Sequence, residues 1–357
     1  MDSATKVELI KSFSEEILTE KELLELFETN PHPLAYDGFE PSGLAPIHFG
    51  LLRAVNLKKM LEAGCRFQLY LADYFGFINN KLGGNLENIK KGGEYFIEVW
   101  KSMGIDTDKV KTIWASEIMD KLGYWDKMLK ISKKITIATA TKSMTVAGRK
   151  QGETNYLAQL MYPAMQVTDI FDMDIDICQL GMEQRRAHVL AREIGPSYGW
   201  KKPVAVHHHI LLGLQGAPQG VKTEESMMES KMSKSNPKSS IYMHNSTEEI
   251  MQKLASAYCP EKVAVGNPVL EYAKYIIFME HDCLDIARPA KFGGNICFES
   301  YEELEKAFVA GKLHPMDLKN GVAIALDKMI EPSRKYFEKN SKAKKLLELM
   351  KSFQITR

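Results

Sequence analysis

Five short apolar runs, residues 34–38, 66–72, 110–115, 174–180 and 204–209, alternate with stretches of helical periodicity. This alternation constrains the fold more than any other feature. Strands apolar on both faces must be covered on both sides, and helices between them favour parallel pairing, so an α/β chain with a doubly wound parallel sheet is expected. Residues 1–33 read as helices, restarted by a Thr19-x-x-Glu22 capping box and ended by Pro31 and Pro33. A helical insertion at about residues 117–164 separates the third strand from the fourth; its Met and Leu faces suit core packing or subunit contact. The sheet region then closes near residue 222, and a glycine-rich and polar stretch leads through a loop and linker, residues 223–244. Capping boxes at Ser246-x-x-Glu249 and Ser300-x-x-Glu303 open helices of a mainly α-helical C-terminal domain, residues 245–357.

With 357 residues, 45% hydrophobic and 26% charged, the chain can bury a substantial core, most simply in two domains. A net charge of +1 excludes a global field that would draw it to nucleic acid or membrane, so any basic surface must be local. One such bias lies at residues 334–357, where Arg and Lys far outnumber Glu338 and Glu348; a solvated helix face explains it as well as RNA docking does. The cysteines, Cys65, Cys178, Cys259, Cys283 and Cys297, are widely spaced without a Cys-x-x-Cys pair, which argues against a disulfide framework or a zinc site. A reducing, cytoplasmic location fits. The Glu-rich amphipathic run at residues 6–27 is neither a secretory signal nor a transit peptide, and no apolar run reaches membrane-spanning length.

Two segments point to chemistry. His48-Phe49-Gly50 follows the first strand through a glycine-containing turn, where a helix start presents backbone N–H groups and an imidazole to an anion. Lys231-Met232-Ser233-Lys234-Ser235 places two lysines and small hydroxyl residues in a polar loop that can bring positive charge to a triphosphate. Together they suggest activation of a carboxylate by ATP. Separately, each has an ordinary reading, as helix packing and as a solvated loop.

The octapeptide Tyr36-Asp37-Gly38-Phe39-Glu40-Pro41-Ser42-Gly43 sits at the strand end where such sheets bind ligands. With it, in order, come Tyr162-Pro163-Ala164-Met165-Gln166-Val167-Thr168-Asp169, Gly181-Met182-Glu183-Gln184-Arg185, the lysine-serine loop, Arg288-Pro289-Ala290-Lys291-Phe292-Gly293-Gly294 and His314-Pro315-Met316-Asp317. On these motifs, over nearly its whole length, the chain resembles tyrosyl-tRNA synthetases of the archaeal and eukaryotic type, class I enzymes with a Rossmann-like catalytic domain.

The resemblance implies that Tyr36 and Asp169 hydrogen-bond the substrate phenol, and that Tyr162, Gln166 and Gln184 hold its α-amino group. Glu40, Ala72 and Phe75 join the tyrosine site, with Ile118 and Met119 along the ring. Gly38, His48, Gly50, Met232, Ser233 and Ser235 fall at ATP-binding positions; His48, Lys231 and Lys234, with Mg2+, would share the charge that develops on the phosphates. Phe292 resembles a residue that stacks on the first anticodon base, His314 and Asp317 its hydrogen-bonding partners, and Arg185 a residue facing the acceptor stem. Tyrosine, ATP, tRNA(Tyr) and a second copy of the chain are the implied partners. Asp73 reads as an anchor for a turn rather than a base, since the attacking carboxylate is already ionised.

Two departures from the pattern lie near the phosphates. Leu44-Ala45-Pro46-Ile47 makes a longer turn before His48, and Leu51 stands where a second histidine is common. Thr141 also replaces an arginine in the acceptor-facing region, with Lys142 and Arg149 nearby. The adjacent His207, His208 and His209 cannot converge on one metal ion from a strand, and one of them is expected beside the adenine pocket. Competing readings are a tryptophanyl-tRNA synthetase, which should lack the Tyr36 and Asp169 pair, and a catalytically silent RNA-binding descendant.

Overall fold

In the computed structural model, residues 1–143, 156–217 and 239–353 are described, the side chain of Phe292 excepted. Arg149 and the Lys231 to Ser235 pentapeptide lie outside them. Six strands form the main sheet: β1 (Ser14–Leu18), β2 (Leu34–Phe39), β3 (Arg66–Leu71), β4 (Lys111–Trp114), β5 (Ile177–Gly181) and β6 (Val204–His208), in the order β1-β6-β5-β2-β3-β4. All neighbours pair in parallel except β1, which runs antiparallel to β6. β1 corrects the all-helical reading of the amino terminus: between α1 (Ser3–Lys11) and α2 (Glu20–Thr29), a short, half-exposed strand caps the sheet edge. Thr19 does form the expected capping box with Glu22.

The order of strand addition reverses between β2 and β5, which themselves run parallel. From β2 the strands step outward to β3 and β4, whereas β5 and β6 lie on the other side, so the C-terminal ends of β2 and β5 flank a topological switch point, where ligands of such sheets bind. The strand interiors are almost wholly buried, as parallel strands covered on both faces must be.

Between β4 and β5 run α6 (Ala115–Met119), α7 (Leu122–Ser132), α8 (Ile137–Lys142) and α9 (Leu157–Asp172), so the insertion read as ending at residue 164 ends inside a helix. The C-terminal region contains helices Thr247–Ala255, Tyr301–Val309, Pro315–Lys339 and Ser341–Ser352, and also a two-stranded antiparallel ribbon, β7 (Leu284–Ile286) with β8 (Ile296–Phe298). Ser246 and Glu249 form a full capping box. At Ser300 only half the box exists, because the Glu303 carboxylate takes the Glu299 N–H instead. One apolar core runs from Phe39, Phe49 and Trp100 beneath the sheet to Ile330, Phe337 and Met350 of the C-terminal helices.

Candidate active site

A second, smaller core gathers Tyr36, Tyr70, Ala72, Phe75, Ile118, Met119, Tyr124, Tyr162 and Met165, so the expected ring-lining residues meet on one side of the sheet. Tyr36 comes from β2, Tyr70 from β3, Ala72 from the turn into α4 (Asp73–Ile78), Phe75 from α4 itself, and Tyr162 from α9. Phe75 meets Tyr162 edge to face at 4.6 Å. Asp169, two turns further along α9, is buried and accepts hydrogen bonds from Tyr70 Oη and Tyr124 Oη, each at 2.8 Å. Burial pushes its carboxyl up to about 8 even against these two donors. Burial likewise raises the Tyr36 hydroxyl, with Cys178 and Asp169 adding to the effect, so it stays neutral. Neither Tyr36 Oη nor Gln166 Oε1 meets a protein partner of good geometry, although both are buried. Such atoms are costly unless a ligand completes them.

Polar groups are arranged around this aromatic box. Tyr162 Oη donates to Glu40 Oε1 at 2.5 Å, and Asn79 Nδ2 donates to the same oxygen at 2.8 Å. Gln166 Nε2 donates to Gln184 Oε1 at 2.9 Å, which brings together two residues from α9 and from the turn after β5. The predicted tyrosine-site residues thus converge, and Tyr70 and Tyr124, which sequence reasoning missed, hold the central carboxylate. Asp73 does anchor a turn: it accepts from Ser116 N at 2.9 Å and Ser116 Oγ at 2.6 Å, tying the end of β3 to α6.

At the switch point, Asp37 of β2 pairs with Arg53 of α3 (Arg53–Glu62) at 2.9 Å. Arg53 also reaches Glu183 at 3.6 Å and stacks over Phe39. Burial lifts Asp37 to about 7, with Arg53 opposing the rise. His48 opens a π-helical turn, His48–Leu52, of a kind common at functional sites. An added Cβ at Gly50 would stand 2.2 Å from Met243 Sδ, so any larger residue would force the buried Met243 side chain to move. The longer turn has a structural use: Ile47 N donates to Ile241 O and Met243 N to Ala45 O, both at 2.9 Å, joining it to the segment that resumes at residue 239. His208 Nδ1 accepts from Gln179 Nε2 at 2.8 Å; burial, then Arg53 and the other histidines including His48, keep it uncharged. Gly38 lies on β2, its space bounded by Tyr70.

The RNA-facing candidates lie elsewhere. Arg185, at the start of α10 (Arg185–Ser197), donates through Nε to both oxygens of Glu16 at 2.9 Å, and Glu16 also meets His207 Nδ1 at 2.9 Å. The Thr141 hydroxyl is engaged inside α8, with Ile137 O at 2.9 Å. Phe292 sits in the short turn Ala290–Phe292, and Arg288 braces that loop through Gly294 O and Lys312 O. His314 is exposed and caps the helix Pro315–Lys339 by accepting from Met316 N, while Asp317 lies in the first turn.

The family model for class I tRNA synthetases of the W and Y type matches residues 28–331. The chain belongs to that family. The synthetase is 46% identical to a tyrosine–tRNA ligase of Thermococcus kodakarensis over 378 aligned positions, covering all of both chains. It is 41% identical to a cytoplasmic tyrosine–tRNA ligase of Arabidopsis thaliana, covering 99% of this chain and 89% of the relative. Among solved structures, the synthetase superposes on the Pyrococcus horikoshii tyrosyl-tRNA synthetase complexed with L-tyrosine with a TM-score of 0.90 at 42% identity, covering 99% and 100% of the two chains.

Proposed function

We propose that this chain is a tyrosine–tRNA ligase, which activates L-tyrosine with ATP and passes the tyrosyl group to the 3′-terminal adenosine of tRNA(Tyr). The observation that carries the reading is the buried Tyr36 hydroxyl, without a well-formed protein hydrogen bond, beside a carboxylate, Asp169, that two tyrosines hold in place. A phenol entering this box offers one oxygen to both. Phenylalanine would deny the Tyr36 hydroxyl and the Asp169 carboxyl the bonds that a phenol completes, and tryptophan would place an indole against them, a penalty of the kind for which tyrosyl-tRNA synthetases are themselves the standard example. The α-ammonium group then meets Tyr162, Gln166 and Gln184, with Glu40 fixing the Tyr162 hydroxyl.

In the first step a carboxylate oxygen of tyrosine attacks the α-phosphorus, the bond to the bridging oxygen breaks, and pyrophosphate leaves with the electron pair. ATP enters as its magnesium complex. The role of His48, Gly38 and Gly50 is to receive the nucleotide at the switch point, while Lys231 and Lys234, with Met232, Ser233 and Ser235, supply a loop that follows the charge onto pyrophosphate. In the second step a ribose hydroxyl of the tRNA attacks the activated carbonyl and AMP leaves. Phe292, His314 and Asp317 would read the anticodon, and Arg185 the acceptor end. Exposed apolar residues on the insertion, Leu122, Leu129, Ile137 and Leu157, support a homodimer, and among the described residues no helix is long and apolar enough to cross a membrane. A cytoplasmic site of action accords with these features.

Charging of tRNA(Tyr) transcript with labelled tyrosine but not labelled tryptophan tests the proposal; tryptophan charging, or none by a folded sample, would overturn it. Lys234→Ala should slow adenylate formation by at least roughly a hundredfold and leave tyrosine affinity nearly unchanged, because the lysine acts on charge that develops only in the transition state. Single-turnover rates and equilibrium binding separate the two effects.

A further inference from the structure

The ribbon of β7 and β8 carries side chains of opposite character on its two faces. Leu284, Ile286 and Phe298 turn inward and are buried, with Ile286 set against Gly321 of the long C-terminal helix. The opposite face bears Cys283, Asp285 and Cys297. The register pairs Asp285 directly with Cys297, and Cys283 lies two residues before Asp285, hence on the same face. Their ligating atoms all lie within 4.8 Å of one another. This arrangement escapes sequence inspection, because residues 14 positions apart meet through strand pairing rather than through a short Cys-x-x-Cys spacing.

We propose that Cys283, Asp285 and Cys297 bind a thiophilic divalent cation of the zinc class, with water in the fourth position. Two thiolates and a carboxylate are a donor set for zinc, and metal distances of about 2.3 Å to sulfur and 2.0–2.2 Å to oxygen are reached by side-chain rotation from the present spacing. Thiolates select such an ion over magnesium or calcium. A two-stranded ribbon with three-residue strands is marginal by itself. A cation bridging Asp285 and Cys283 of one strand to Cys297 of the other would staple it beneath the loop of residues 287–295.

The test is a cadmium titration of the full chain under anaerobic reducing conditions, read by the thiolate-to-cadmium charge-transfer band, followed by displacement with zinc. One ion per chain is expected, with the band lost in Cys283→Ser/Cys297→Ser. Even loss of an outer-sphere partner costs about 10–100-fold in affinity, so either single Cys→Ser variant should weaken binding at least that much. Asp285→Asn should keep the band but weaken binding. All these variants should keep tyrosine-dependent pyrophosphate exchange and far-ultraviolet dichroism, since the three residues lie outside the catalytic machinery. An absent band, a band that survives the double substitution, or binding only at millimolar concentration would overturn the proposal.

Discussion

Asp169 carries the heaviest electrostatic load in the site. Its folded value of about 8 lies above the ordinary 3.8, so the native protein keeps a proton that the unfolded chain releases between those limits. For this group, stability is full below about pH 4 and falls as pH rises toward 8; Asp37, lifted to about 7, acts in the same sense. Asp169→Asn should therefore flatten this fall in urea-denaturation midpoints between pH 5 and 8 while severely reducing tyrosine activation; parallel pH profiles would contradict the assignment. Removing one donor to the carboxylate, in Tyr70→Phe or Tyr124→Phe, should cost about 1–3 kcal/mol, seen as a roughly tenfold or greater loss in kcat/KM for tyrosine. The contiguous motifs made Tyr36, Tyr162, Gln166, Asp169 and Gln184 legible in the sequence. Tyr70 and Tyr124 were not, because an aromatic in an apolar strand or helix looks like core until its hydroxyl meets a partner 99 or 45 residues away.

At the scale of elements, local signals were read well where the chemistry is local. The capping boxes at Thr19 and Ser246 formed as expected, and the alternating strands paired in parallel. The edge strand β1 was missed because Ser-Glu-Glu-Ile-Leu offers little apolar alternation, and its place is set by β6, nearly 190 residues downstream. The π-helical turn at His48 also has no local code; it is fixed by Met243 pressed onto Gly50 and by the pairing of residues 45–47 with 241–243. Gly50→Ala should cost about 1–3 kcal/mol through overpacking against a buried side chain. Met243→Ala, which opens space there, should make the second substitution cheaper, so a double-mutant cycle by chemical denaturation should show coupling well above about 0.5 kcal/mol; additivity would mean the close approach is not what fixes the turn.

For the whole molecule, the two-domain reading was only half of the account, because the sheet region and the C-terminal helices share a core and polar ties. α5 (Leu86–Ser102) is the joint: Ser102 Oγ donates to Ser333 Oγ at 2.8 Å, and Tyr336 Oη to the buried Glu98 at 2.5 Å. No sequence pattern announces these contacts, since each spans more than 200 residues. Glu98→Ala should take away the acceptor of the Tyr336 hydroxyl proton and cost about 1–3 kcal/mol in the urea transition. On the proposed homodimer, Leu129→Glu, on the exposed apolar face of the insertion, should shift the sedimenting species from dimer to monomer without unfolding it; a species unchanged from wild type would contradict a subunit contact on this face. The central claim, that the Tyr36 and Asp169 pair selects a phenol for activation, is tested most directly by ATP–pyrophosphate exchange with tyrosine, phenylalanine and tryptophan in turn. Exchange with tyrosine alone is the predicted result, whereas exchange with tryptophan, or with none of the three in a folded sample, would contradict it.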